Sequence, residues 1–356
     1  MEGTFPHSEP SLVGMGKSQQ RTYYTTWCPD VSAINGKRRI VPPAGPGRAA
    51  VRGVRGRLTR YHGDDNAAEV GDMTISEVRT WPGSGVGRCN EDCARVDLET
   101  GCGVLVDGAT GLSKSRLTDM ASDAAWYAQA LVEETSRDLA DQDRSLDEAL
   151  LAAGTRVARS YMSLPGASRA ERIDYPNGSL AAVRWRADRI EVASLGDAST
   201  VVVMRGGAHV VLHDATLDAL DRLNYERMFR YATERGASMR EAREALNDRF
   251  VEHRLLMNEP NGYWAVDVTC RGYGHEWRFE APRSQVRGVV MCSAGFAAAV
   301  DMGVVDDLVE LADLVMSGAG ERLGGDLRAA EREDEDCLRV HRSKTSDDAT
   351  YAAIWF

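Results

Sequence analysis

Four short acidic clusters stand out along this chain: Asn90-Glu91-Asp92, Val106-Asp107-Gly108, Leu195-Gly196-Asp197 and Ser346-Asp347-Asp348. Each falls at the end of an apolar run or in a turn signal, where a carboxylate is delivered to a rigid edge. Hard divalent cations such as Mg²⁺ and Mn²⁺ take carboxylate oxygens, backbone carbonyls and water as ligands. Two such ions held together clamp a phosphate and deprotonate a water between them. The residue types suit that chemistry. Singly, the clusters are ordinary turn sequences, because Asp-Gly and Gly-Asp are common in turns. Their order along the chain carries the weight.

Other chemistries are less well supplied. Cys89, Cys93 and Cys102 lack zinc-site spacing and a fourth ligand, and read as partly buried thiols. None of the seven histidines has metalloprotease spacing, and no Gly-x-Ser-x-Gly elbow is present. Gly83-Ser84-Gly85-Val86-Gly87 lacks the Lys-Ser/Thr of a phosphate-cradling loop, follows Pro82 and opens no helix. It reads as a turn before the first acidic cluster.

The elements that must position these carboxylates follow from periodicity. Gly103-Val104-Leu105-Val106 predicts a strand ending on Asp107-Gly108. Met120, Ala124, Tyr127 and Leu131 recur at helical spacing, as do Leu146, Leu150, Ala153, Val157 and Tyr161. Two amphipathic helices are expected, each packing one face on a sheet. Segments 180–183, 190–195 and 200–204, separated by the turn signals Ala187-Asp188 and Gly196-Asp197, predict three antiparallel strands in sequence. Residues 215–256 turn helical and highly charged, with Leu217, Leu220, Leu223 and Met228 for a partial core, and read as a substrate-facing flap. Strands return at 263–268, 286–292 and 350–356, with helical segments at 296–300 and 304–316. Runs of strands interrupted by paired helices predict an α+β sandwich rather than alternating βαβ units.

The 356 residues, 43% hydrophobic and 27% charged, describe a soluble globular chain able to bury a sizeable core. A net charge of -11 argues against a nucleic-acid-binding protein. The charge is uneven, since the first 63 residues hold ten Lys/Arg against Glu2, Glu9 and Asp30, so the body is strongly acidic. Residues 1–72 lack periodicity and are rich in Gly, Pro and Arg, which predicts a disordered basic extension ahead of a folded domain at 73–356. That extension reads either as a solvated tail or, through Lys37-Arg38-Arg39 and the Arg-Gly stretch, as a contact for RNA or an anionic surface. Seven cysteines cannot all pair, and no leader-like apolar stretch precedes them, so a reduced cytoplasmic setting is expected. No run approaches the roughly 20 apolar residues of a membrane span.

Cys89-Asn90-Glu91-Asp92, the stretch Leu105-Val106-Asp107-Gly108-Ala109-Thr110-Gly111-Leu112, and Ala193-Ser194-Leu195-Gly196-Asp197-Ala198-Ser199 resemble three successive motifs of the protein phosphatase 2C family, bacterial type. Val289-Val290-Met291-Cys292-Ser293-Ala294-Gly295-Phe296 and Asp347-Asp348-Ala349-Thr350 are similar to its last two. The resemblance spans residues 76–356. It implies a four-layer α/β/β/α sandwich, an antiparallel central β-sandwich flanked by helix pairs. It implies a metal-dependent phosphatase with two Mn²⁺ or Mg²⁺ ions, acting on phosphoserine or phosphothreonine of a protein partner and opposing a Ser/Thr kinase. In that pattern Asp107 bridges both metals, the Gly108 carbonyl and Glu91 help hold one, and Asp347 holds the other. Asp92 supports metal-bound water, and Asp197 matches an aspartate associated with an accessory metal. The attacking group is the bridging hydroxide, with no covalent phosphoenzyme.

The chain departs from the pattern in several places. Ala294 stands where the family has an aspartate that ligates a core metal, and a methyl group coordinates nothing. Either an otherwise intact hydrolytic site carries a single Asp-to-Ala change, or the chain is an inactive pseudophosphatase that recognises phosphate without turnover. The family's phosphate-binding arginine falls at Gly87, so Arg88 is the candidate for that role. Ala109 replaces a histidine proposed as general acid in some members, which leaves leaving-group protonation to metal-bound water. Ala298 replaces an acidic accessory-metal residue. Hydrolysis of a small phosphorylated metabolite selected by the 215–256 flap is a third reading.

Overall fold

The computed structural model describes residues 74–84, 89–112 and 116–356. The basic extension expected at 1–72 lies outside the described residues. From the N-terminal side the strands are β1 (Ile75–Trp81), β2 (Asp92–Asp97) and β3 (Cys102–Ala109), followed by helices α1 (Asp123–Leu139) and α2 (Leu146–Met162). Next come β4 (Asn177–Trp185), β5 (Arg189–Leu195), β6 (Ser199–Met204) and β7 (His209–Leu212), then α3 (Ala215–Arg235), α4 (Met239–Ala245) and α5 (Asn247–Leu255). The chain closes with β8 (Val266–Asp267), β9 (Trp277–Pro282), β10 (Val286–Cys292), α6 (Ala294–Ala297), α7 (Leu308–Met316), α8 (Gly320–Glu333) and β11 (Ala349–Trp355).

Two antiparallel sheets form, one in the order β1-β11-β10-β6-β7 and one in the order β2-β3-β4-β5-β9, with β8 added beside the start of β4. Their apolar runs are continuous rather than alternating because both faces of each sheet are covered. On β3, Leu105 points between the sheets to meet Val289, Met291, Ala352 and Ile354, while Val104 and Val106 point outward under Tyr127, Leu131, Leu150 and Val157 of α1 and α2. On the opposite side Val290, Tyr351 and Ala353 pack under Leu311, Val315, Leu323 and Leu327 of α7 and α8. This period-2 division of side chains between two buried faces makes the four layers α/β/β/α. Each fully buried Leu or Val contributes roughly 1.5–3 kcal/mol relative to exposure, so the three apolar clusters dominate the stability.

Several local expectations are corrected. β4 and β5 pair as a hairpin, but β6 leaves that sheet to pair with β10 and β7, so Gly196-Asp197 is a crossover between sheets and not a hairpin turn. The strand expected over 263–268 shrinks to Val266–Asp267, and the helix expected over 296–300 is the single turn Ala294–Ala297. Helix α1 begins at Asp123, capped by the Ser122 side chain, so Met120 lies before it. Strands β7 and β9 and helix α8 were not legible. The 215–256 insert is helical as expected and buries Met228, but Leu223 is 43% exposed because only part of this charged segment finds a packing partner.

Candidate active site

The acidic clusters converge because of strand register. Asp92 on β2 is the direct cross-strand partner of Asp107 on β3, and Asp107 is in turn opposite Ser179 on β4. Ser179 donates its hydroxyl to the Asp197 carboxylate, and the Asp197 N–H donates back to Ser179 Oγ at 3.1 Å. Three adjacent strands thus carry a row running Asp92, Asp107, Ser179, with Asp197 attached at its end. The other sheet closes on this row through its backbone. Where β10 ends, the Ala294 N–H donates to Asp107 Oδ2 at 2.9 Å, and the turn is anchored by Phe296 stacked on Trp81 and packed against Tyr351.

Glu91 and Gly108 meet in the same place. The Gly108 N–H donates to the Glu91 carbonyl at 3.2 Å, and the Thr110 hydroxyl donates to the Glu91 carboxylate. A side chain on Gly108 would bring its Cβ to 2.5 Å from the Glu91 carbonyl oxygen, so glycine is required by close backbone approach. Asp347 precedes β11, and its carboxylate pairs with the Lys344 ammonium and accepts the Asp348 N–H at 2.9 Å.

Two like charges directly opposed on a ladder repel, and desolvation adds to the cost. Burial, with the Asp347 and Asp348 charges adding to it, pushes the Asp92 carboxyl up to about 7. The Ser293 and Thr350 side chains oppose that rise. Neither carboxylate oxygen of Asp92 finds a hydrogen-bond partner. Of the two nearby hydroxyls, Thr350 Oγ1 lies 2.9 Å from Thr80 Oγ1, while Ser293 Oγ accepts the Thr350 N–H and keeps its own proton to donate. Asp107 is raised well above the usual carboxylate range by burial, then by the charges of Asp92, Asp197 and Asp347. Asp197 is raised by burial, against the Ser179 hydrogen bond.

Several participants were not identified from sequence. Asp348 accepts the Gly83 N–H at 2.7 Å and the Glu91 N–H at 2.9 Å, tying the loop before β2 to the last strand. The Asp347-Asp348 pair was a usable signal, since successive residues of an extended chain point to opposite sides and the two carboxylates take different partners. The helical insert adds Asp218 and Asp221. His213 Nε2 lies 2.8 Å from Asp218 Oδ2, and its Nδ1 lies 2.9 Å from Ser199 Oγ. Asp221 is pushed up to about 7 by burial and by Asp197 and Asp218, against the opposing charges of Arg254 and Lys344.

Arg88, with Gly85 and Gly87 before it, lies outside the described residues. Cys93 and Cys102 pair with Val106 and Asp97, at opposite ends of the β2–β3 ladder and ~13 Å apart at strand rise, which rules out a shared zinc ion. Among the described residues no three His, Cys, Asp or Glu side chains form a ready-made metal cage. What converges is carboxylates with a backbone carbonyl, a donor set that suits Mg²⁺ or Mn²⁺ with water completing the shell. The partnerless oxygens of Asp92 and the desolvated Asp107 fit one such ion. A second ion is fitted less well, because Ala294 offers no oxygen side chain and Asp347 already has a cation.

No family model matches this chain, and no curated protein matches it. Among solved structures it is similar to the Mycobacterium tuberculosis serine/threonine phosphatase PstP/Ppp at 14% identity, over 80% of this chain and 98% of that one, with a TM-score of 0.46. It is similar to the catalytic domain of PstP in complex with two manganese ions at 16% identity, over 79% and 97%, with a TM-score of 0.42. It is also similar to the serine/threonine phosphatase Stp1 from Staphylococcus aureus at 12% identity, over 82% and 99%, with a TM-score of 0.46. No described helix is long and apolar enough to cross a membrane.

Proposed function

We propose that this chain is a metal-dependent phosphomonoesterase acting on phosphoserine or phosphothreonine of a protein, with Mn²⁺ or Mg²⁺ as cofactor and with turnover impaired by Ala294. The observation that carries this reading is the directly opposed Asp92–Asp107 pair, in which both carboxylate oxygens of Asp92 are shut off from solvent. A desolvated carboxylate pair of this kind is costly unless a proton or a cation neutralises it. A divalent ion there supplies Lewis-acid polarisation of a phosphoryl oxygen and acidifies a water.

The chain's own residues divide the remaining work. Asp107, the Gly108 carbonyl and Glu91 would hold the ion. Asp92, directly across the ladder from Asp107, would orient water and accept its proton. The Ala294 N–H keeps Asp107 turned inward, so the missing aspartate removes a ligand but leaves the orientation of Asp107 intact. Asp347 is the remaining carboxylate for a second ion, and Asp197 belongs to an accessory position. Arg88 receives the phosphate, and the 215–256 insert selects the phosphoprotein.

Hydrolysis of a small aryl phosphate with Mn²⁺, compared between this chain and Ala294→Asp, tests the reading. The aspartate variant is expected to gain about tenfold to 100-fold in kcat/KM, the scale on which metal-site groups act. Equal inactivity of both proteins at saturating Mn²⁺ would sink the hydrolase reading. The outcome would then be a phosphate-recognising regulatory module, a reading favoured by the Lys344–Asp347 ion pair.

A further inference from the structure

We infer that Lys344 stands in for the second cation, so that the site is built for one divalent ion plus one ammonium. The inference rests on the metal-site reading above. It starts from Asp347, the carboxylate left to hold a second ion once residue 294 is alanine. Asp347 Oδ1 is already paired with Lys344 Nζ, three residues earlier in the same loop, and also accepts the Asp348 N–H. The backbone after Ala294 lies directly against Asp347, since a Cβ on Gly295 would sit 3.1 Å from Asp347 Cβ. Ala294, the residue before this contact, presents only a methyl group where a second ligand is needed. One ligand is gone, and a cation of the chain's own already sits on Oδ1 of the other.

The ammonium is also placed to meet substrate. It stands at the solvent edge of the site, since its partner Asp347 is itself 42% exposed. The Lys344 side chain is 39% exposed, so its other donors remain open to solvent and to an arriving phosphate. A lysine ammonium binds phosphate as a point charge through rotatable donors. It carries half the charge of the ion it replaces and needs no ligand from position 294. Lys344 is thus a positioning residue that holds Asp347 and a phosphate-binding residue in place of a metal.

The test is calorimetric titration of the full-length chain with Mn²⁺, then of the Mn²⁺-loaded chain with inorganic phosphate. The wild type should bind one Mn²⁺ tightly, and Asp107→Asn should abolish that site. Ala294→Asp should add a second, weaker ion, and Lys344→Gln on that background should tighten the second ion by about tenfold as the competing charge is removed. On the wild-type background Lys344→Gln should weaken inorganic phosphate by about tenfold or more, the worth of a charge-assisted contact, and Lys344→Arg should restore most of it. Two tight ions in the wild type overturn the inference. So does a second-ion affinity that Lys344→Gln leaves unmoved, or a phosphate affinity that it leaves unmoved. In those cases the one-ion phosphatase reading stands, whereas a wild type that binds no Mn²⁺, or binds it independently of Asp107, overturns both.

Discussion

Replacing Asp92 by asparagine should stabilise the metal-free protein, and by an amount that grows with pH. The carboxyl of Asp92 is moved by burial from 3.8 in the unfolded chain to about 7 in the fold. A folded value above the unfolded one means that the protonated acid is well accommodated. Its contribution is fully present below the unfolded value and is lost as pH rises through about 7. The full loss is at most about 4 kcal/mol, at 1.36 kcal/mol per pH unit of separation. By about pH 5 roughly 2 kcal/mol has gone, and by about pH 8 nearly all of it. Asparagine keeps the shape and never ionises. In EDTA, urea denaturation should therefore show the variant ahead by roughly 2 kcal/mol at about pH 5 and about 4 kcal/mol at about pH 8. Added Mn²⁺ should narrow the gap, because the cation neutralises the carboxylate that the wild type still has. A gap that does not change with pH, or a wild type that is the more stable protein at the higher pH without metal, would refute the reasoning.

Asp348→Ala removes the acceptor for the Gly83 and Glu91 amides. It should cost about 3 kcal/mol in urea denaturation and weaken Mn²⁺ binding, because Glu91 loses its anchor; a cost below about 0.5 kcal/mol would show that water replaces both contacts. His213 is held above its ordinary 6.5 by its hydrogen bond to Asp218 and by the charge of that carboxylate. The pair should therefore stabilise the fold by about 1 kcal/mol below that value and lose this contribution as pH rises through the elevated one. Asp218→Asn should accordingly be less stable than wild type at low pH only, a pattern that a pH series of denaturation curves reads directly; a deficit that persists unchanged on the alkaline side would count against the ion pair.

Legibility from sequence varied with the physical origin of each feature. The four acidic clusters were visible because each needs a strand end or turn, and apolar runs ending on Asp or Gly-Asp mark such places. Helix α2 was read along its apolar face, since Leu146, Leu150, Ala153, Val157 and Tyr161 are all buried and all but Ala153 join one cluster with the β3 and β4 side chains. Strand β9 was missed although Trp277-Arg278-Phe279-Glu280-Ala281 alternates, because the run is short, closes on Pro282 and lies at a sheet edge, and α8 because its buried face is interrupted by glycines and charge. The departure of β6 from the β4–β5 sheet was not readable, since a turn that reverses the chain and one that crosses between sheets use the same residues.

The site shows the same division. Sequence alone singled out Glu91, Asp92, Asp107, Asp197 and Asp347 as candidate ligands, and Ala294 as the position where the resembled pattern has an aspartate, because residue type and order are properties of the chain. Which carboxylates oppose one another, and at what electrostatic cost, was decided only by tertiary structure. The β2–β3 register sets Asp92 against Asp107, Asp348 becomes a tether rather than a ligand, and Lys344 reaches Asp347. Desolvation and Coulomb terms depend on distance and burial, and a linear sequence contains neither.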